Sequence, residues 1–228
     1  MEHRGPIEDA TWPAQLELHV LDPGPPLRLQ GYDVLDDLLP HVPWSEQLLL
    51  AFAGELPTPQ HAAWLELALR LLAYDEPASA PTHVGLLAHM LVAPPASVVA
   101  VAAGALAQQA AAMVEAHGAW LRHCDDPTRH PAPSWPPHDE AWLQRLRAAL
   151  GDELALLPAL REGSPPPQAC ALALLHGCGL REPLRVITVI VQARLAIVMA
   201  EVERHVPRRL GHYPIEAPPV HYREDGEP

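Results

Sequence analysis

The chain has 228 residues, 49% of them apolar, and a formal net charge of −13 from 15 Lys and Arg against 28 Asp and Glu. That length can bury a substantial core, and the acidic balance excludes the basic face that a nucleic acid or an anionic membrane would require. Cys124, Cys170 and Cys178 have neither disulfide nor metal spacing, so no metal and a reducing, cytoplasmic setting are expected.

Met1-Glu2-His3-Arg4 leads into no apolar run, so no signal peptide is expected. Residues 1–30 read as a Pro-rich, irregular arm, within which Leu16, Leu18 and Val20 alternate with polar residues and predict one short strand. Beyond it the apolar residues are chiefly Ala and Leu, which lose little on entering a helix. Helices are predicted over 33–39, 44–53, 59–74, 80–92 and 96–117. Gly54 stops the second, and Thr58 caps the third with Pro59 at its first position. Trp64, Leu65, Ala68, Leu69 and Leu72 share one face of that third helix.

Residues 96–114 form a stretch of 19 without a formal charge. Ala and Val outnumber Leu there and Gln108 and Gln109 interrupt it, so a buried, closely packed helix is expected rather than a membrane span. From Arg122 to Pro137 the Asp-, Pro- and His-rich composition predicts a loop. His117, His123 and Cys124 are expected to be surface residues near a helix end, not a metal site. Further helices are predicted over 139–150, 152–161, 168–177 and 182–205, with a break at Gly163-Ser164-Pro165-Pro166-Pro167, and the tail from Pro207 reads as an extended arm. No repeat, phosphate loop, dinucleotide fingerprint or nucleophile elbow is present.

Three blocks carry more information: Gly31-Tyr32-Asp33; His41-x-x-Trp44-x-Glu46; and Gly54-Glu55-Leu56-Pro57-Thr58. In this order and spacing they resemble the citrate synthase superfamily, which includes the shorter citryl-CoA lyases. The resemblance implies an all-α, citrate synthase-like multi-helix fold, with a large helical domain (31–118 and 182–228) and a reduced small domain (119–181) after the arm. It also implies pairing, as a homodimer or as a heterodimer with a homologue. Independently, small side chains on all faces of 96–117 cannot be enclosed by a single copy. No bound cofactor is implied; a CoA thioester would be a substrate beside a di- or tricarboxylate.

Joining acetyl-CoA to a 2-oxo acid, or the reverse, needs a carboxylate base, two neutral or His-type donors and arginines for the substrate carboxylates. The family's first His position falls within 103–112, where Gln109 is the nearest polar candidate and no His occurs between His89 and His117. His130, in Arg129-His130-Pro131, matches the second His. Counting back eleven from Gly179-Leu180, the catalytic Asp position holds Gln168, an amide that cannot act as a general base near neutral pH. Arg194 matches a carboxylate-binding Arg, and the two terminal arginines have only Arg208 and Arg209 near them. Two functions remain open: a diverged acyl-CoA enzyme, or a catalytically silent member acting as a partner subunit or as a carboxylate- or CoA-binding protein. The residue chemistry favours the second.

Overall fold

The computed structural model describes residues 19–74, 79–135, 141–150 and 165–205. Helices account for 71% of these residues, so the all-α expectation holds. The order is β1 (Leu21–Asp22), β2 (Arg28–Leu29), β3 (Tyr32–Asp33), a π-helical turn (Val34–Leu38) running into α1 (Leu39–His41), then α2 (Trp44–Ala53), α3 (Pro59–Ala73) and α4 (Ala80–Met90). After these come α5 (Pro95–Ala116), α6 (Gly118–Asp125), α7 (Ala141–Leu150), α8 (Pro167–Gly177) and α9 (Pro183–Arg204).

The described end of the arm, residues 19–30, is more ordered than expected. β1, β2 and β3 pair antiparallel, with Leu21 opposite Leu29 and Leu29 opposite Tyr32. Gln30 and Gly31 supply the left-handed conformations at the tight β2–β3 turn (φ 51 and 86). Val20 lies just outside β1, while Leu16 and Leu18 fall outside the described residues. Asp33 then caps the π-helical turn: its Oδ1 accepts from the Leu35 and Asp36 amides at 2.9 and 3.0 Å, and Asp37 Oδ2 accepts from the Asp33 amide at 2.9 Å. Each end thus satisfies donors that the turn leaves free.

The corner from α2 to α3 forms as its sequence predicts. Gly54 sits at φ 83 and its amide donates to Leu50 O at 2.8 Å; Thr58 Oγ1 accepts from the His61 amide at 3.2 Å. Trp64, Leu65, Ala68 and Leu72 are buried and Leu69 is half-buried, which confirms the predicted face. α8 is buried from Ala169 to His176, as befits a helix that is apolar all round. It packs on α3 and α6, and one core joins these to α2, α7 and the first half of α9.

Two predictions are corrected here. The chain does not become a loop at Arg122: α6 runs to Asp125, because Trp120 and His123 lie one turn apart and both are buried. α5 is not buried all round either. Val98, Ala102, Leu106, Ala110 and Met113 form one inward stripe, while Val99 and Val101 are 42% and 44% exposed. By length and composition alone, α5 and α9 are each apolar enough to cross a membrane. In the fold each presents one face to a second core, in which Val98, Ala102 and Leu106 meet Val198 and Val202. Close approach of α4 depends on Gly85: a Cβ there would lie 2.9 Å from Val202 Cγ2. The predicted helix at 152–161 and the tail from Pro207 lie outside the described residues.

Candidate functional site

α6 is a short strut whose side chains reach in two directions. Trp120 is fully buried, and its indole N–H donates to Ala169 O in the first turn of α8 at 2.8 Å. His123, 4% exposed, stacks on Trp120 with ring centroids 5.4 Å apart. Its Nδ1 lies 2.7 Å from His130 O, and since a carbonyl only accepts, Nδ1 carries the proton. His123 is therefore a buried coupling residue, not the surface residue expected. The spacing of Trp120 and His123, three apart ahead of an Asp-Asp-Pro stop, was the signal for it.

The loop beyond α6 is built around Asp126. Its Oδ1 accepts from the Thr128 hydroxyl and from the amides of Thr128 (3.1 Å) and Arg129 (3.2 Å). The Thr128 hydroxyl contributes most, with those two amides and His130 nearby, to holding this carboxyl below its ordinary range. His130 is half-buried, with its amide donating to Asp126 O at 3.0 Å. Gln168 is exposed at the second position of α8, one residue from the carbonyl that Trp120 holds. Thus a relay through His123 and Trp120 links the His130 loop to the first turn of α8, where Gln168 stands.

A second assembly lies deeper. Arg194 is 2% exposed on α9; its Nε donates to Leu72 O at 2.8 Å and its Nη1 to Gln109 Oε1 at 3.1 Å. Gln109 and Arg194, 85 positions apart, therefore meet in the interior and tie α5 and α9 to the last turn of α3. Arg208 and Arg209 lie outside the described residues.

The far end of α8 holds another pair that the sequence did not reveal. His176, 8% exposed, donates from Nε2 to Asp125 Oδ1 at 2.7 Å, and Arg181 Nη1 lies 3.5 Å from the same oxygen. Burial pushes the Cys124, Cys170 and Cys178 thiols up to about 12, so none is poised as a thiolate nucleophile. Among the described residues no cluster of three or more His, Cys, Asp or Glu could hold a metal ion.

No family model and no curated protein matches the sequence. Among solved structures the chain is similar to the citryl-CoA lyase from Hydrogenobacter thermophilus, with a TM-score of 0.60 over 93% of this chain and 96% of that one, at 14% identity. At that identity the likeness concerns fold alone, and the all-α, citrate synthase-like fold expected from the three sequence blocks is the fold this chain adopts.

Proposed function

We propose that this chain is a catalytically degenerate member of the citrate synthase superfamily, a carboxylate- or CoA-binding protein or partner subunit rather than an independent lyase or synthase. One observation carries the reading. Gln109, the nearest polar candidate for the family's first His, accepts a hydrogen bond from the buried Arg194. Its Oε1 is engaged by a buried guanidinium, and no His, the residue type the family's chemistry uses there, stands between His89 and His117. The exposed Gln168 supports the same reading, because an amide cannot take the proton that a carboxylate base would. The alternative is a variant acyl-CoA enzyme making or breaking a carbon–carbon bond.

The ligands of this reading are an acyl-CoA and a di- or tricarboxylate, with His130, Arg208 and Arg209 as the groups carried over from the resemblance. Arg194 matches it too, but its guanidinium is 2% exposed and already donates to Leu72 O and Gln109 Oε1. The reading keeps the division into a large domain (31–118 and 182–228) and a reduced small one (119–181). It also places the protein in the cytoplasm, free of nucleic acid and membrane, and paired with a second copy or a homologue. The outward stripe of α5, which includes the exposed Val99 and Val101, supports the pairing.

The test follows thiol release from acetyl-CoA with oxaloacetate, and cleavage of citryl-CoA, by the purified full chain. The expected rate is far below about 1 s⁻¹, the lower end of ordinary enzymes. Thermal shifts with CoA or citrate are expected without turnover. Turnover at or above that rate would favour the enzyme reading and show that another residue supplies the base. Light scattering at micromolar concentration tests the pairing, and a monomer would remove that part of the proposal.

A further inference from the structure

The Gly54-Glu55-Leu56-Pro57-Thr58 corner plays no part in the function proposed above, yet it borders a cavity of about 450 Å³. This volume lies within the range of small-molecule sites, about 300–1,000 Å³. Two helix starts and two helix ends bound it. Thr58 and His61 come from the first turn of α3 and Arg185 from the first turn of α9; Ala53 ends α2 and Gly177 ends α8. The aligned peptide dipoles leave a helix start partially positive and a helix end partially negative.

The side chains repeat this polarity. Arg185 stands on the start of α9, and Glu55 follows the end of α2. Among the described residues neither Glu55 nor Arg185 makes an ion pair or a side-chain hydrogen bond, although both line the same cavity. Leu49, Leu56 and Leu180 supply apolar wall. Cys178 is no candidate for covalent capture, since its thiol is pushed up to about 12 and donates to His61 O at 3.3 Å.

We infer that this cavity binds a free α-amino acid with an apolar side chain: Arg185 takes the carboxylate, Glu55 takes the ammonium, and the three leucines take the side chain. A plain carboxylate would leave Glu55 unpaired beside it, and a plain amine would leave Arg185 unpaired. A zwitterion meets both charges at once. The site is independent of the proposed function. It lies at the end of α8 opposite Gln168, roughly 14 Å along the helix axis at about 1.5 Å per residue.

The experiment is calorimetric titration of the full chain with L-leucine, L-methionine and L-phenylalanine. N-acetyl-L-leucine and L-leucinamide, each lacking one of the two charges, serve as comparisons. At least one free amino acid is expected to bind with a Kd below about 1 mM. Both comparison compounds should bind at least about tenfold more weakly, and Glu55→Gln and Arg185→Gln should each weaken the amino acid at least as much. Both substitutions are at exposed or half-buried positions, and far-ultraviolet circular dichroism checks that the fold is kept. Should either variant unfold, amide shifts of Thr58, His61, Gly179 and Arg185 in the unaltered protein locate the ligand instead. Absence of both heat and amide shifts at about 10 mM amino acid overturns the inference. So does N-acetyl-L-leucine binding as well as leucine, which would mark a simple anion site, and so does affinity unchanged in both folded variants.

Discussion

The contact at Gly85 is the tightest that an added Cβ would meet among the described glycines, and it makes a quantitative prediction. In Gly85→Ala the new methyl would meet Val202 Cγ2 at 2.9 Å, where carbon atoms normally sit about 3.5–4.0 Å apart. Val202 is 2% exposed, and a helical valine has one strongly preferred rotamer, so it cannot swing aside. Overpacking of this kind costs about 1–3 kcal/mol. Replacing Gly by Ala inside a helix returns about 0.8–1 kcal/mol, which leaves a net loss of about 1 kcal/mol. Val202→Ala alone removes two buried methyl groups and should cost about 2 kcal/mol. In the double variant the clash has gone and the methyl introduced by Gly85→Ala occupies part of the vacated space. Its loss should therefore fall short of the sum of the two single losses by about 1–2 kcal/mol. Urea unfolding followed by circular dichroism measures all three, and each kcal/mol should move the melting temperature by about 2–4 °C. Additive losses, within about 0.5 kcal/mol, would refute the close approach of α4 and α9.

Val92 adopts φ 59 with its side chain 74% exposed, so Val92→Gly should raise stability by about 0.5–1 kcal/mol after the added freedom of the unfolded chain is counted; a lower melting temperature would contradict this. Trp120→Phe removes the donor to Ala169 O and part of a fully buried ring, and urea unfolding should record a loss of about 2 kcal/mol; a loss under about 0.5 kcal/mol would mean that the strut carries no load. Asp126 has its carboxyl held below the ordinary range, so its caps favour the folded loop fully above the unfolded carboxylate value of about 3.9 and are lost as pH falls through the lower folded value. Protection of the Thr128 and Arg129 amides, followed by hydrogen exchange, should therefore persist at about pH 4 and vanish only in stronger acid; loss of protection above that pH would contradict the depressed value.

What the sequence made legible were features whose cause is local. The Gly54 stop, the Thr58 cap and the Pro59 start each follow from one residue's own backbone or side chain, and all three formed as predicted. α6 failed that test because its composition signals a loop while its stability is tertiary: Trp120 finds its acceptor 49 positions away. The three short strands were missed because each is two residues long and shows no alternation to read. Uniformly small side chains hid which stripe of α5 turns inward. Only the facing residues, Val198 and Val202 on α9, decide it.

The candidate site divides in the same way. His130 and Gln168 were assigned by counting from motifs, and the connection between their segments runs through Trp120 and His123, which no motif names. Arg194 shows why a buried charge identifies a constraint before it identifies a ligand. A guanidinium 2% exposed must have its donors met wherever it sits. Two of them are met by Leu72 O, in the last turn of α3 where helix carbonyls lack amide partners, and by the Gln109 amide. Arg194 thus closes the end of α3 while tethering α5 and α9, a task that exists whether or not any substrate is present. For a substrate carboxylate to use the same guanidinium, it would have to displace an acceptor already in place and reach a group almost closed to solvent.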